Sequence, residues 1–165
     1  MSTDDAWRAL TLQIDLVKHA ESKAGAALAS SGVLGGLLYT LVSQTRSGGA
    51  PFAVLAAATA ITVVVSAAAA GSALRPRLLI GRPVTGLLFH HSIVHRFRPD
   101  SDGFAQEFRT LVGDPAALVA ELADQVHANA GVAVRKYRAV TVALHALMAA
   151  LALLAATGVA GLSSR

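Results

Sequence analysis

The sequence predicts an all-α membrane protein: three transmembrane helices, a mainly helical cytoplasmic layer between the second and third, and a third span continuous with a long cytoplasmic helix. Three observations predict it. The stretches Ala24 to Ser43, Pro51 to Leu74 and Ala139 to Leu162 contain no Asp, Glu, Lys or Arg. At about 1.5 Å of rise per helical residue, each matches a hydrocarbon core about 30 Å thick. Only 15% of the 165 residues are charged while 54% are apolar, against an ordinary charged share of about a quarter, and the deficit lies in these runs. Finally, nine of the fourteen Lys and Arg residues and six of the ten acids fall between Arg75 and Arg138, which sets a polar block between two apolar ones.

Residues 1-23 are predicted as an amphipathic cytoplasmic lead-in helix. Trp7, Leu10, Ile14 and Val17 recur at helical steps of three and four, with Asp15 and Lys18 on other faces. Such a helix can lie on a membrane or pack on other helices, and the absence of Lys and Arg enrichment on its polar face favours packing. A secretory leader would place a basic segment before a short apolar core; here the preceding segment carries Asp4, Asp5, Asp15 and Glu21, so a retained span is expected.

Residues 24-74 are predicted as a transmembrane hairpin with spans 24-43 and 51-74. The connection contains Gly48, Gly49 and Pro51, which are turn signals. Arg46 is the one cation of that turn, whereas Lys18 and Lys23 precede the first span and Arg75, Arg77 and Arg82 follow the second. The positive-inside rule then places the N-terminus and the polar block in the cytoplasm and the C-terminus outside. Arg135, Lys136 and Arg138 before the third span agree.

Residues 75-138 form the predicted cytoplasmic sensing or regulatory region. Leu87 to Val94 is a short apolar run that fits a strand or a buried helical turn, and Gly81, Pro83 and Gly86 favour irregular or extended structure before it. Ser101 or Asp102 is positioned to cap a helix carrying Phe104, Phe108 and Leu111, with Gly113 at its end. Asp114-Pro115 restarts helix, Leu118, Leu122 and Val126 continue as an apolar stripe, and residues 139-162 follow as the third span.

The chain has no cysteine, which excludes disulfides and thiolate metal sites. A net charge of +4 and a pI near 10 would raise nucleic acid as a partner, but the cations share their block with acids and flank membrane spans, so no nucleic acid is expected. Phosphate-binding loops, nucleophile elbows and oriented triads are absent from the sequence, so no catalytic residue is assigned and no enzyme is expected. His91 and His95 would share a helix face, yet no acid lies between them and no zinc-protease pattern surrounds them; no metal and no cofactor is assigned. His145, inside the third span, is expected as a neutral imidazole bonded to a Ser or Thr of a neighbouring helix. Small residues spaced by four, Gly32 with Gly36 and Thr157 with Gly161, together with Ala67 to Gly71, suit close packing within one chain or between copies of a homo-oligomer.

Two polar sets stand out. Asp15, Glu21 and Lys23 form a collar at the start of the first span, which sets depth and orientation or meets a ligand. Gln125, Asn129 and Lys136 share one helix face at steps of four and seven, as a wet contact between helices or a ligand site.

The run Ala20-Glu-Ser-Lys-Ala24 entering a small-residue span resembles the Asp-x-Lys-Ala entry of the membrane-spanning effectors of the bacterial Pycsar antiphage system. Ala73-Leu-Arg-Pro76, Leu87-Leu-Phe-His-His-Ser-Ile-Val94, and Gln125-Val-His-Ala-Asn129 through Arg135-Lys-Tyr137 resemble that family in the same order. Glu21 stands where the family usually has Asp. The resemblance implies an antiviral effector in the bacterial inner membrane that responds to a cyclic pyrimidine mononucleotide, cyclic CMP or cyclic UMP, by impairing the lipid bilayer in abortive infection. It also implies that arginines meet the phosphodiester anion through charge-assisted bonds. Arg75, Arg77, Arg82, Arg96 and Lys136 are the candidates, with Tyr137 or Phe89 to stack on the base, and Glu21, Lys23, Gln125 and Asn129 completing the candidate set. A membrane adaptor or scaffold whose cytoplasmic region docks a partner protein without nucleotide accounts for the same topology.

Overall fold

A computed structural model describes residues 2–45, 48–75 and 86–163. Five α-helices run through them in the order α1 (Thr3–Gln44), α2 (Ala50–Leu74), α3 (His90–Phe97), α4 (Ser101–Gly113) and α5 (Pro115–Ser163). No strand occurs among the described residues. Three helices, α1, α2 and α5, are long and apolar enough to cross a membrane. The third apolar run and the helix before it are one element of 49 residues, and the lead-in and the first run are one helix of 42.

The chain divides into two units, one made of residues 1–18 and 76–134, the other of 19–75 and 135–165. In the second unit, α1, α2 and α5 meet along seams of small residues. The buried positions are Ala20, Ala24, Ala27, Ser31, Leu34 and Leu38 on α1, and Ala73, Ala70, Ser66, Val63, Thr59 and Phe52 on α2, with Lys136, Val140, Ala143, Ala146, Ala150 and Thr157 on α5. Steps of three and four repeat along each, the 3.5-residue period of coiled-coil seams. Alanine at so many contacts lets backbones approach, and van der Waals packing of that kind holds helices together where lipid removes the hydrophobic drive.

Hydroxyl layers alternate with the dry ones. Ser66 donates to the Ala143 carbonyl of α5 at 2.9 Å, and the Ser31 hydroxyl lies 2.9 Å from Ser66 Oγ and 2.8 Å from its own helix's Ala27 carbonyl. Further along, Thr59 and Thr157 meet at 3.2 Å, while each also lies within bonding distance of a carbonyl of its own helix. A Cβ at Gly161 would meet Phe52 of α2 at 3.2 Å. Thr157 and Gly161 therefore serve packing within the chain. Gly32 and Gly36 do not: a Cβ at either meets nothing within 4 Å.

The first unit buries Ala6 and Leu10 of α1 against Leu118 and Leu122 of α5, with Leu88, Leu111, Val119 and Val126 around them. Packing of the lead-in helix is thus observed, on a face that keeps Leu10 of the predicted stripe but is turned away from Trp7 and Ile14. Trp7 and Ile14 are 42% and 38% exposed, because the face that touches α5 is centred on the small Ala6, which lets the helices close, and bulky Trp7 is left at its flank.

Of the two readings of Leu87 to Val94, the helical one is met from His90 onward, as α3, preceded by a turn at 86–89; Gly81 and Pro83 lie outside the described residues. One local detail differs from expectation. The cap of α4 is Asp100, whose carboxylate accepts from the Gly103 amide at 2.8 Å, and not Ser101 or Asp102, because an aspartate three residues ahead of that free amide is what the first turn requires. Asp114 behaves as anticipated, accepting from the amides of Ala116 and Ala117 at 2.9 and 3.1 Å. At the start of α1, side-chain and backbone hydrogen bonds from Ser2 hold the Asp5 carboxyl below its ordinary range.

The seam sets a testable asymmetry. Ala70→Leu, at a fully buried position, overfills the α1–α2–α5 contact and is expected to cost about 1–3 kcal/mol. Gly36→Ala, facing open space, is expected not to lower stability. Thermal unfolding of the detergent-solubilised protein checks both.

Candidate functional site

In the second unit, the C-terminal end of α2 meets α1 and α5 in one polar cluster. Lys136 of α5 has a side chain only 4% exposed, and its ammonium donates to Glu21 Oε1 of α1 and to the Ala73 carbonyl of α2, both at 2.7 Å. The second bond has a clear origin. The last carbonyls of a helix have no partner within it; the Gly71 carbonyl is taken by the Arg75 amide, and Lys136 takes that of Ala73. A cation at the negative end of α2 also favours its dipole. Glu21 is 43% exposed, so the pair joins a buried charge to a carboxylate that still reaches solvent.

Lys23, two residues beyond Glu21 on α1, holds its ammonium 5.9 Å from the centre of the Tyr137 ring, a cation–π distance. Arg75, at the C-cap of α2, is exposed. Of the predicted site residues, Glu21, Lys23, Arg75, Lys136 and Tyr137 therefore belong to this unit. The collar of α1 and the polar face of α5 become one arrangement at Glu21 and Lys136, a pairing across 115 residues of sequence that periodicity along either helix could not reveal.

Phe89, Arg96, Gln125 and Asn129 belong to the first unit. Arg96 is bonded to Glu107 at 2.8 Å and lies over the Phe97 ring at 5.0 Å. Phe97 meets Phe104 edge-on, and Phe104 stacks on Phe108. Asn129 donates to the Gln125 backbone carbonyl at 2.9 Å. The Gln125 side chain is buried, and its Nε2 has no hydrogen-bond partner among the described residues. A buried amide donor left unmade costs about 1–3 kcal/mol, so this position is paid for in stability and calls for an acceptor. Arg77 and Arg82 lie outside the described residues.

Two features of the first unit were not anticipated. Glu121 bonds the Leu88 amide at 3.3 Å and lies so close to Gly86 that any Cβ there would collide with its carboxylate; the sequence signal was Gly86 itself, a residue without a side chain where another group must approach. A cleft of about 580 Å³ opens between Leu87, α4 and the start of α5, with Gln106, Glu107, Thr110 and Asp114 on its wall. Both carboxylates already have partners, Glu107 in Arg96 and Asp114 in the α5 amides, and their charge opposes an anionic occupant. No group of three or more His, Cys, Asp or Glu placed to hold a metal ion occurs among the described residues.

His145 departs from expectation. It is exposed on the outer surface of α5, with no Ser or Thr bonded to it among the described residues, because the inward seam at that level is filled by Ala143 and Ala146.

Two outcomes follow for stability. Lys136→Met removes the buried charge and keeps an unbranched side chain of similar volume, whereas Glu21→Ala leaves the ammonium buried with a single carbonyl; the second is expected to cost more, by about 1–2 kcal/mol once the partial exposure of Glu21 is allowed for. Gln125→Met, nearly isosteric and without the orphan donor, is expected to gain about 1 kcal/mol. Chemical denaturation in detergent, read by circular dichroism, separates the variants.

The model of the Pycsar effector protein domain matches residues 5–162. The Pycsar effector protein PtPycTM of Propioniciclava tarda is 33% identical over 138 residues, which cover 82% of this chain and 68% of that protein. No solved structure matches. With three helices long enough to cross a bilayer and a family match over nearly its whole length, the chain belongs to the Pycsar effector family of antiphage defence proteins.

Proposed function

We propose that the protein sits in the bacterial inner membrane, N-terminus cytoplasmic, and that a cyclic pyrimidine mononucleotide, cyclic CMP or cyclic UMP, triggers it to impair that membrane and abort infection. Family membership across residues 5–162 is the observation that carries this reading. The charged end of the three-helix unit supports it chemically. Lys23, Arg75, Arg135 and Arg138 are exposed there, around one partly exposed acid, Glu21, so the local charge favours a phosphodiester. Tyr137 offers a ring beside Lys23, a combination that suits a base and its phosphate together.

Lys136 is less available than the sequence suggests, since two of its three donors are already engaged. Its part in this reading is to hold α1, α2 and α5 in register while Lys23 and Arg75 meet the anion.

Calorimetric titration of the purified protein in detergent tests the reading, with cyclic CMP, cyclic UMP and, as a purine control, cyclic AMP. Binding of one pyrimidine nucleotide, with dye release from vesicles of bacterial lipid on its addition, is expected. Lys23→Ala and Arg75→Ala are each expected to weaken binding about tenfold, the equivalent of one charge-assisted hydrogen bond. A folded protein that binds neither pyrimidine nucleotide would overturn the proposal.

A further inference from the structure

The outward face of α5 carries a group that a lipid surface does not accommodate. His145 is exposed and lies seven residues beyond Arg138, about 10 Å along the helix, so its short side chain cannot reach the interface that Arg138 marks. Ionisable groups at such depth almost always face protein or a water-filled cavity. Among the described residues the chain supplies neither: α1 and α2 cover the opposite side of α5, at Val140, Ala143 and Ala150. Thr141, one turn away and also exposed, spends its hydroxyl proton on the Tyr137 carbonyl.

The residues flanking His145 differ from an ordinary lipid-facing surface. Thr141, Met148, Ala152 and Ala155 continue from it at steps of three and four, all exposed, and they are small, polar or, in Met148, adaptable in shape, with Val142 and Val159 exposed at the margins of the row. The exposed face of α2, with Val54, Ile61 and Val64 each at least 64% exposed, carries no ionisable residue.

We propose that this face of α5 is where a second copy of the chain docks inside the membrane, with the two His145 side chains meeting across the contact. A neutral imidazole has one donor and one acceptor nitrogen, so it is complementary to a second imidazole, which a like copy brings to the same depth. Ala152 and Ala155 then allow the paired helices to come close. The inference goes beyond the nucleotide response and does not require it.

The absence of native cysteine makes the test clean. Met148→Cys, Ala152→Cys and, on α2, Val64→Cys are each placed in the full-length chain, reconstituted in vesicles of bacterial lipid, and oxidised with copper phenanthroline, with and without cyclic CMP or cyclic UMP. The expected result is a disulfide-linked dimer for the two α5 variants in at least one of these conditions, and little for Val64→Cys. His145→Leu in the Met148→Cys background should lower the dimer yield about fivefold, the equivalent of one interhelical hydrogen bond in lipid, without changing the helical circular dichroism of the protein. Failure of both α5 variants to cross-link, equal cross-linking at Val64, or a dimer yield indifferent to His145→Leu would each overturn the proposal. Because cross-linking is read without nucleotide as well, its result stands apart from that of the titration.

Discussion

The ammonium group of Lys136 lies where α1, α2 and α5 converge, and the arrangement of that end of the unit follows from its needs. A charge taken out of water demands partners, and the demand rises as the local dielectric falls. The Glu21 carboxylate and the Ala73 carbonyl answer it at 2.7 Å each. Both are fixed to helices, so meeting the need of one side chain sets the axial position of the other two elements. A dry contact of alanines could not do this alone, because small smooth faces at steps of three and four tolerate a slip of one turn. A buried polar group that can be satisfied in one register is a known way to exclude the others.

The same logic recurs at intervals along the bundle. Ser31, Ser66 and Thr59 with Thr157 bring hydroxyls to the seam, each able to return its proton to a backbone carbonyl of its own or a facing helix. Such bonds are worth little individually in lipid, on average about 0.6 kcal/mol. Their value lies in position: Ser31 and Ser66 occur between the layer built from Ala27, Ala70 and Ala143 and that built from Leu34, Val63 and Ala150, and Thr59 with Thr157 lies beyond the second. Dry layers supply contact area and hydroxyl layers discriminate among registers.

What the sequence disclosed depended on the length scale of the signal. The helices and their continuity were legible, because absence of charge over 20 or more residues and a missing break before Ala139 are properties of contiguous sequence. The N-cap at Asp114 was legible for the same reason. The stripe of the lead-in helix was misjudged because large apolar residues, Trp7 and Ile14, were weighted over Ala6, whereas close-packed helices select the small one. The inward orientation expected of His145 rested on the general cost of ionisable groups in lipid; the angular position of a residue on a span is set by which neighbours are small enough to approach, and Ala143 and Ala146 won that competition. Glu21 and Lys136 were both singled out, but from different faces of different helices, and their pairing is a tertiary fact.

The choice of lysine at position 136 is itself informative in a chain that otherwise uses arginine, eleven to three. Guanidinium is a wide planar fork with five donors, whereas ammonium is compact and has three. Between three helices held close by Ala20, Ala24 and Ala73, a fork would leave donors unmet or force the helices apart, while a point charge reaches one carboxylate and one carbonyl. Exposed cations of the same end, Arg75, Arg135 and Arg138, face no such restriction and keep the group better suited to bidentate recognition of phosphate. Burial thus restricts the cation at position 136 to an ammonium, while Arg75, Arg135 and Arg138 stand exposed at the same end beside Lys23.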